Sequence, residues 1–206
     1  MFSSDFLGQA LIAAPVILFS LTVHEFSHAY IAYRFGDNTA KDMGRLTFNP
    51  LAHLDLFGTI MMFVSQFRFG WAKPVPVNPY NLRNPRVADL WISAAGPLSN
   101  FGLAFISGML FRVATSGVIA VPSVIIQLLF YGVMINLSLG FFNLIPLYPL
   151  DGSHILKSLL PSRFEIQLAE FDRFAPYILI FLIIIGGFWF ILGPFVRFFI
   201  HVFAGV

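Results

Sequence analysis

An apolar run over residues 7–35 carries His24, Glu25 and His28, with no other Asp, Glu, His, Lys or Arg until Arg34. Roughly 20 apolar residues suffice to cross a bilayer, so the run reads as a membrane-spanning helix. Hydrocarbon cannot satisfy a backbone, which leaves helices as the spanning form for segments of this kind. Burying two imidazoles and a carboxyl at that depth costs several kcal/mol, so groups placed there are read as functional. On a helix, positions i and i+4 share a face. Two imidazoles one turn apart can therefore hold one metal ion, with Glu25 in reach of a water beside it.

H-E-x-x-H on a helix is the pattern of zinc proteases, in which the Glu acts as general base. Two other readings compete with it: a polar cluster joining helices, and the lining of an ion path. The rest of the chain bears on the choice. It has 206 residues, 58% hydrophobic and 11% charged, which excludes an ordinary soluble domain. A formal net charge of +2, with basic residues dispersed among loops, gives no reason to expect nucleic acid. There is no cysteine, so His, Asp and Glu must supply any metal ligands. The N-terminal stretch MFSSDFLGQA lacks the basic region of a cleavable signal peptide, so the first helix is expected to persist in the mature protein.

The expected fold is an all-α polytopic membrane protein. It has about four full transmembrane helices, over residues 7–35, 87–113, 121–142 and 176–192, and a re-entrant, short β-containing segment between the first two. The second span is expected to break at Ala95-Gly96-Pro97. Residues 54–67 are too short to cross and read as re-entrant, with a short strand at 45–48. Residues 71–79, WAKPVPVNP, read as an extended edge or loop, because its prolines forbid a helix. Pro146 and Pro149 are expected to keep residues 143–152 extended, with a short helix over 154–160. Gly193-Pro194 should end the last span, leaving 193–206 as a continuation or a surface helix. All of residues 1–206 form a single membrane-embedded domain, with a core over about 18–160 and C-terminal helices over 161–206.

Arg34, Lys41 and Arg45 follow the first run, and no Lys or Arg precedes it. By the positive-inside rule its C-terminal end faces the cytoplasm. His24 to His28 then lie about 9 to 15 Å below that end, inside the bilayer but nearer the cytoplasm. If residues 54–67 re-enter rather than cross, residues 143–151 return to the same leaflet, and all basic residues but Arg112 and Arg197 fall on the inner side or at its boundary. A catalytic zinc takes three protein ligands and one open position. Of the acidic residues in apolar surroundings, Asp55, Asp89 and Asp151, the last lies where backbone and carboxylate can turn toward a cavity, and it is taken as the third ligand.

HEFSH at 24–28 with NLIPLYPLDG at 143–152 resembles the site-2 protease family of intramembrane zinc metalloproteases. GPLSN at 96–100 and GWAKPVPVNP at 70–79 also resemble segments of that family. The resemblance covers about residues 18–160 and is closest to the compact branch, since no gap between spans accommodates a PDZ insertion. It implies that His24, His28 and Asp151 bind one zinc ion per chain, that Glu25 is the general base, and that Asn143 and Asn100 hold the substrate backbone. The substrates it implies are transmembrane segments of other proteins, cut in the course of regulated intramembrane proteolysis. A helical substrate must be extended before cleavage, and residues 45–48 and 71–78 are the candidate edges for strand addition.

His53 is a candidate extra ligand or gate; the alternative is that, with Asp55, it caps a helix or bonds backbone. His154 is read as ordinary, or as a support for Asp151, and His201 as ordinary. Asn136 reads as a helix–helix hydrogen bond. Trp71, Trp91, Tyr80 and Tyr177 suit interfacial anchoring. Gly102 and Gly108 should permit close helix approach. An ion transporter and a non-cleaving metal-binding scaffold remain the competing functions.

Overall fold

The computed structural model describes residues 4–65 and 70–206. Helix α1 runs over Ser4–Arg34 and α4 over Pro85–Thr115, with α5 at Ser123–Asn143 and α9 at Gly187–Ala204. These four contain the helices long and apolar enough to cross a membrane. Between α1 and α4 lie two short helices, α2 at Thr39–Asp42 and α3 at Leu56–Val64. After α5 come α6 at Asp151–Leu159, α7 at Glu165–Asp172 and α8 at Ala175–Ile184.

Side-chain contacts fix the helix directions. His28 meets the Ile92 carbonyl and His24 meets Asn100, so α1 and α4 run antiparallel. Asn136 meets Asn100, and Gly132 packs against Ser107, so α5 runs antiparallel to α4. The end of α1, the start of α4 and the end of α5 therefore share one end of the bundle. Residues 35–84 leave and rejoin the bundle at that end. Arg112, near the end of α4, donates to the Val202 and Phe203 carbonyls, which places the end of α9 at the opposite pole. The core there joins Ala104, Phe111, Val133, Leu137, Val196 and Ala204.

Several expectations are corrected. Among the described residues there is no strand; one isolated antiparallel bridge joins Leu54 to Ala72. Residues 46–48 form a bend. The bridge cannot grow into a ladder, because Pro74, Pro76 and Pro79 lack donors. The bridge's own bond runs from the Lys73 N–H to the His53 carbonyl, and the next groups are engaged elsewhere: Arg45 donates to the Lys73 carbonyl, and the Val75 N–H donates to Glu25. The nine-residue α3 replaces the 54–67 segment, whose last part, with Arg68 and Phe69, lies outside the described residues. Helix α4 continues unbroken through Pro97. Residues 144–150 turn rather than extend, with Leu147 N–H on the Ile145 carbonyl and Leu150 N–H on that of Leu147. The expected span at 176–192 is divided: Gly186, at φ +68°, ends α8 and starts α9, whereas Pro194 sits inside α9. The left-handed conformation at Gly186 is open to glycine at little steric cost, and it breaks the helix seven residues before the Gly-Pro pair. Gly108 does admit close approach, by Phe203, while Gly102 faces open space.

Candidate metal centre

His24 and His28, both buried, point from α1 toward α4. Their rings stand edge to face with centroids 4.6 Å apart, and their Nε2 atoms are 3.0 Å apart. Room for the pair comes from Gly96. A Cβ there would lie 2.5 Å from His28 Nε2 and 2.5 Å from His24 Cε1. Each ring is held from behind: His24 Nδ1 lies 2.7 Å from Asn100 Oδ1, and His28 Nδ1 lies 2.7 Å from the Ile92 carbonyl oxygen. Both partners accept, so each Nδ1 donates, which leaves the two Nε2 atoms turned toward the same point.

Asp151 closes the group. As the first residue of α6 it places a carboxylate at a helix N-terminus, where negative charge is favoured. Gly152 lets α6 begin tight against the preceding turn, since a Cβ there would come within 2.2 Å of the Leu144 carbonyl oxygen. Asp151 Oδ2 lies 3.3 Å from His24 Nε2, and Oδ1 lies 3.5 Å from His28 Nε2. Oδ2 is buried and has no hydrogen-bond partner. Donor atoms of the three residues all lie within 4.8 Å of one another, and they form the one such group among the described residues. Two imidazole nitrogens and a carboxylate facing one point are a donor set that suits zinc, and the orphaned Asp151 oxygen fits an ion there.

Glu25 flanks the group and is buried; its Oε2 accepts the Val75 N–H at 3.1 Å. The extended 71–78 segment thus reaches over the site, while Val77 packs against the cluster of Ala32, Leu82, Ala88 and Ile92. Asn143 ends α5 partly exposed, with its side-chain NH2 on the Leu139 carbonyl. Asn100 is sealed behind His24: its Oδ1 faces the ring, and its NH2 donates to Asn136 Oδ1 at 2.9 Å. Asn136 is the interhelical bond that was expected of it. His53 lies outside the three-residue group. Its Nε2 donates to the Thr47 carbonyl at 2.8 Å, and its buried Nδ1 has no partner. With Trp71 and Ala72 it lines a cavity of about 690 Å³ that is otherwise mostly apolar. Asp55 caps α3 through the Gly58 N–H. His154 pairs with Asp89 at 3.4 Å, linking α6 to α4 rather than touching Asp151.

The residue-level reading of the sequence left out Gly96 and Ile92. Gly96 was visible only as part of an expected break and of the GPLSN segment, with no role of its own, and a backbone carbonyl acceptor such as that of Ile92 leaves no trace in residue type.

Four helices long and apolar enough to cross a membrane, with a His–His–Asp donor set where α1, α4 and α6 meet, are the marks of a multi-pass membrane metalloprotein. The sequence profile described as Peptidase family M50 matches residues 107–186, a stretch that includes the Asp151 turn. A Bacillus subtilis protein named as a zinc metalloprotease, YwhC, is 42% identical over 178 residues, covering 84% of this chain and 80% of its own. The chain belongs to peptidase family M50, the site-2 protease family, and is a zinc metalloprotease. A Mycobacterium tuberculosis protein named as a zinc metalloprotease, Rip2, is 31% identical, with 82% of this chain and 63% of that protein covered. A zinc metalloprotease of Methanocaldococcus jannaschii is 27% identical over 72% of this chain and 34% of its own length. No solved structure gives a significant match.

Proposed function

We propose that this chain hydrolyses peptide bonds within or near transmembrane segments of membrane proteins, with His24, His28 and Asp151 holding the zinc and Glu25 serving as general base. One observation carries the reading. The two Nε2 atoms lie 3.0 Å apart with both Nδ1 atoms engaged by acceptors, and an unpartnered carboxylate oxygen faces them. Two lone pairs so close repel each other unless a proton or a metal ion lies between them, and the carboxylate oxygen facing both suits the metal ion.

Zinc, when bound, lowers the pKa of its water to around 7 and polarises a carbonyl. Glu25 takes the proton of the attacking water and delivers it to the leaving amine. The Val75 N–H on Oε2 fixes that carboxylate in place. Asn143, partly exposed at the turn that leads to Asp151, meets the substrate backbone in this reading, which the burial of Asn100 between His24 and Asn136 favours. The location of the site inside an apolar α1 supports a substrate that is itself a membrane segment. The basic residues gathered at the shared end of α1 and α4 support a cytoplasmic placement of that end.

The test is Glu25→Gln in purified protein, with zinc content and cleavage of a membrane-embedded substrate measured together. Gln can still accept the Val75 N–H, so the geometry should persist and one zinc per chain should remain. Cleavage should fall by about 10² or more, the scale of a lost general base. Wild-type cleavage by this variant would sink the mechanism; ion flux without any cleavage by the wild type would favour a transporter.

A further inference from the structure

Behind His24, away from the metal point, three buried side chains form a hydrogen-bonded row across three helices. His24 on α1 faces Asn100 on α4, and Asn100 faces Asn136 on α5. The row ends at the Gly132 carbonyl, which accepts the Asn136 NH2 at 2.8 Å. A second carbonyl, that of Ser20, lies 3.5 Å from the Asn100 NH2. Asn100 is fully buried and Asn136 is 2% exposed, so water does not replace a lost partner cheaply.

Carbonyls only accept. The Gly132 carbonyl therefore turns the NH2 of Asn136 toward itself and its Oδ1 toward Asn100. That oxygen, with the Ser20 carbonyl, in turn draws the NH2 of Asn100. Asn100 Oδ1 is left facing His24 Nδ1. Flipping Asn100 would set its oxygen against Asn136 Oδ1 and the Ser20 carbonyl, acceptor against acceptor, in a dry interior. Each amide thus has one allowed sense, set by the backbone of α5. The last member of the row, the imidazole, must carry its proton on Nδ1 and turn the Nε2 lone pair toward His28 and Asp151.

We infer that Asn136, through Asn100, is a positioning residue that fixes the tautomer and ring orientation of His24 and so sets the zinc affinity of the site. This rests on the proposed zinc ligation by His24. Outer partners of ligating imidazoles typically govern about 10- to 100-fold in metal affinity. Asn136 touches neither substrate nor metal, and Asn100 alone connects it to the ring.

The experiment measures zinc affinity by chelator competition and the visible spectrum of the cobalt-substituted protein, in the wild type, Asn136→Leu and Asn136→Asp. Leu removes the acceptor and frees Asn100 to flip. Asp, protonated at this depth, keeps the pattern: its C=O accepts from Asn100 and its O–H donates to the Gly132 carbonyl. Leu should weaken zinc at least tenfold and change the cobalt bands, and Asp should restore both. Should the Leu variant fail to fold, Asn136→Ser, too short to hold Asn100, replaces it with the same expected loss. Wild-type affinity and spectrum in the Leu or Ser variant would overturn the inference, as would an Asp variant no better than Leu. A wild type that binds no zinc, or binds it equally after Asp151→Ala, would instead overturn the ligation reading on which the inference rests.

Discussion

Gly96 owes its identity to two imidazoles on another helix. His28 cannot retreat, because its Nδ1 is tied to the Ile92 carbonyl, and His24 is tied to Asn100 in the same way. A methyl group at 96 would meet both rings at 2.5 Å, well inside contact distance. Alanine is the better helix former, so Gly96→Ala should leave helix content intact or slightly raised. Zinc should nevertheless be lost from the purified protein, and cleavage should drop by about 100-fold or more, since a misplacement near 1 Å costs on that scale. Circular dichroism and metal analysis on the same sample check this; full zinc occupancy in the variant would contradict it. At this scale the sequence was legible where spacing carries the chemistry. His24 and His28 are one helical turn apart, and Asp151 stands out as a carboxylate beside Gly152 in a turn-forming stretch. Asn100 was read as a substrate contact because its place behind His24 depends on how α4 lies against α1, which no spacing along one chain encodes.

The elements between α1 and α4 are short and are held by side chains rather than by a ladder. Asp37, fully buried just past the end of α1, accepts from the Thr39 N–H at 3.0 Å and the Thr39 hydroxyl at 2.6 Å. It also accepts from the Asn78 N–H at 2.7 Å and the Asn81 side-chain NH2 at 2.9 Å. It thereby fastens the far end of the 71–78 segment, whose Val75 holds Glu25. Burial by itself would raise the Asp37 pKa, but these donors, with Thr39 and Asn81 foremost, outweigh it and hold the carboxyl below its ordinary value. A folded-state pKa below the unfolded one stabilises above the ordinary aspartate range and is lost as pH falls through the folded value. Acidification below about pH 4 should therefore loosen residues 71–81 from α1, and hydrogen exchange at the Asn78 amide should rise. Asp37→Asn should raise that exchange at neutral pH, by about 2 kcal/mol of lost protection, and flatten its acid dependence. An acid response unchanged in the variant would assign the effect to another group. The extended character of 71–78 was legible from its prolines. The strands were not to be had, because the donors a ladder needs are absent or already used. The last span was misplaced because hydropathy does not distinguish Gly186, which adopts a left-handed conformation, from Gly193, which does not.

Taken whole, the molecule is a set of crossings whose directions determine where charge falls. Helices α1 and α5 run one way, and α4 and α9 run the other. The 35–84 region begins and ends at the pole where α1 ends. Arg34, Lys41, Arg83 and Arg86 flank its junctions there, and Arg86 donates to the carbonyls of Lys157, Ser158 and Leu160 at the end of α6. Lys157 is itself paired with Asp172. The opposite pole, where α4 passes into α5, carries Arg112, whose guanidinium is spent on the end of α9. Positive charge in short loops marks the cytoplasmic side, so the pole nearest the metal group should face the cytoplasm. The absence of cysteine makes the test clean. Asp42 is exposed beyond α1, and Val118 is 83% exposed in the α4–α5 turn. A membrane-impermeant maleimide applied to intact cells should label Val118→Cys and spare Asp42→Cys, and inverted membrane vesicles should give the reverse. Neither residue belongs to the proposed zinc group or to its hydrogen-bond partners, so each variant should keep its zinc and its cleavage activity, which checks that the labelled protein is folded. Labelling of Asp42→Cys from outside intact cells would invert the molecule and move the entry for water and substrate to the other face of the membrane.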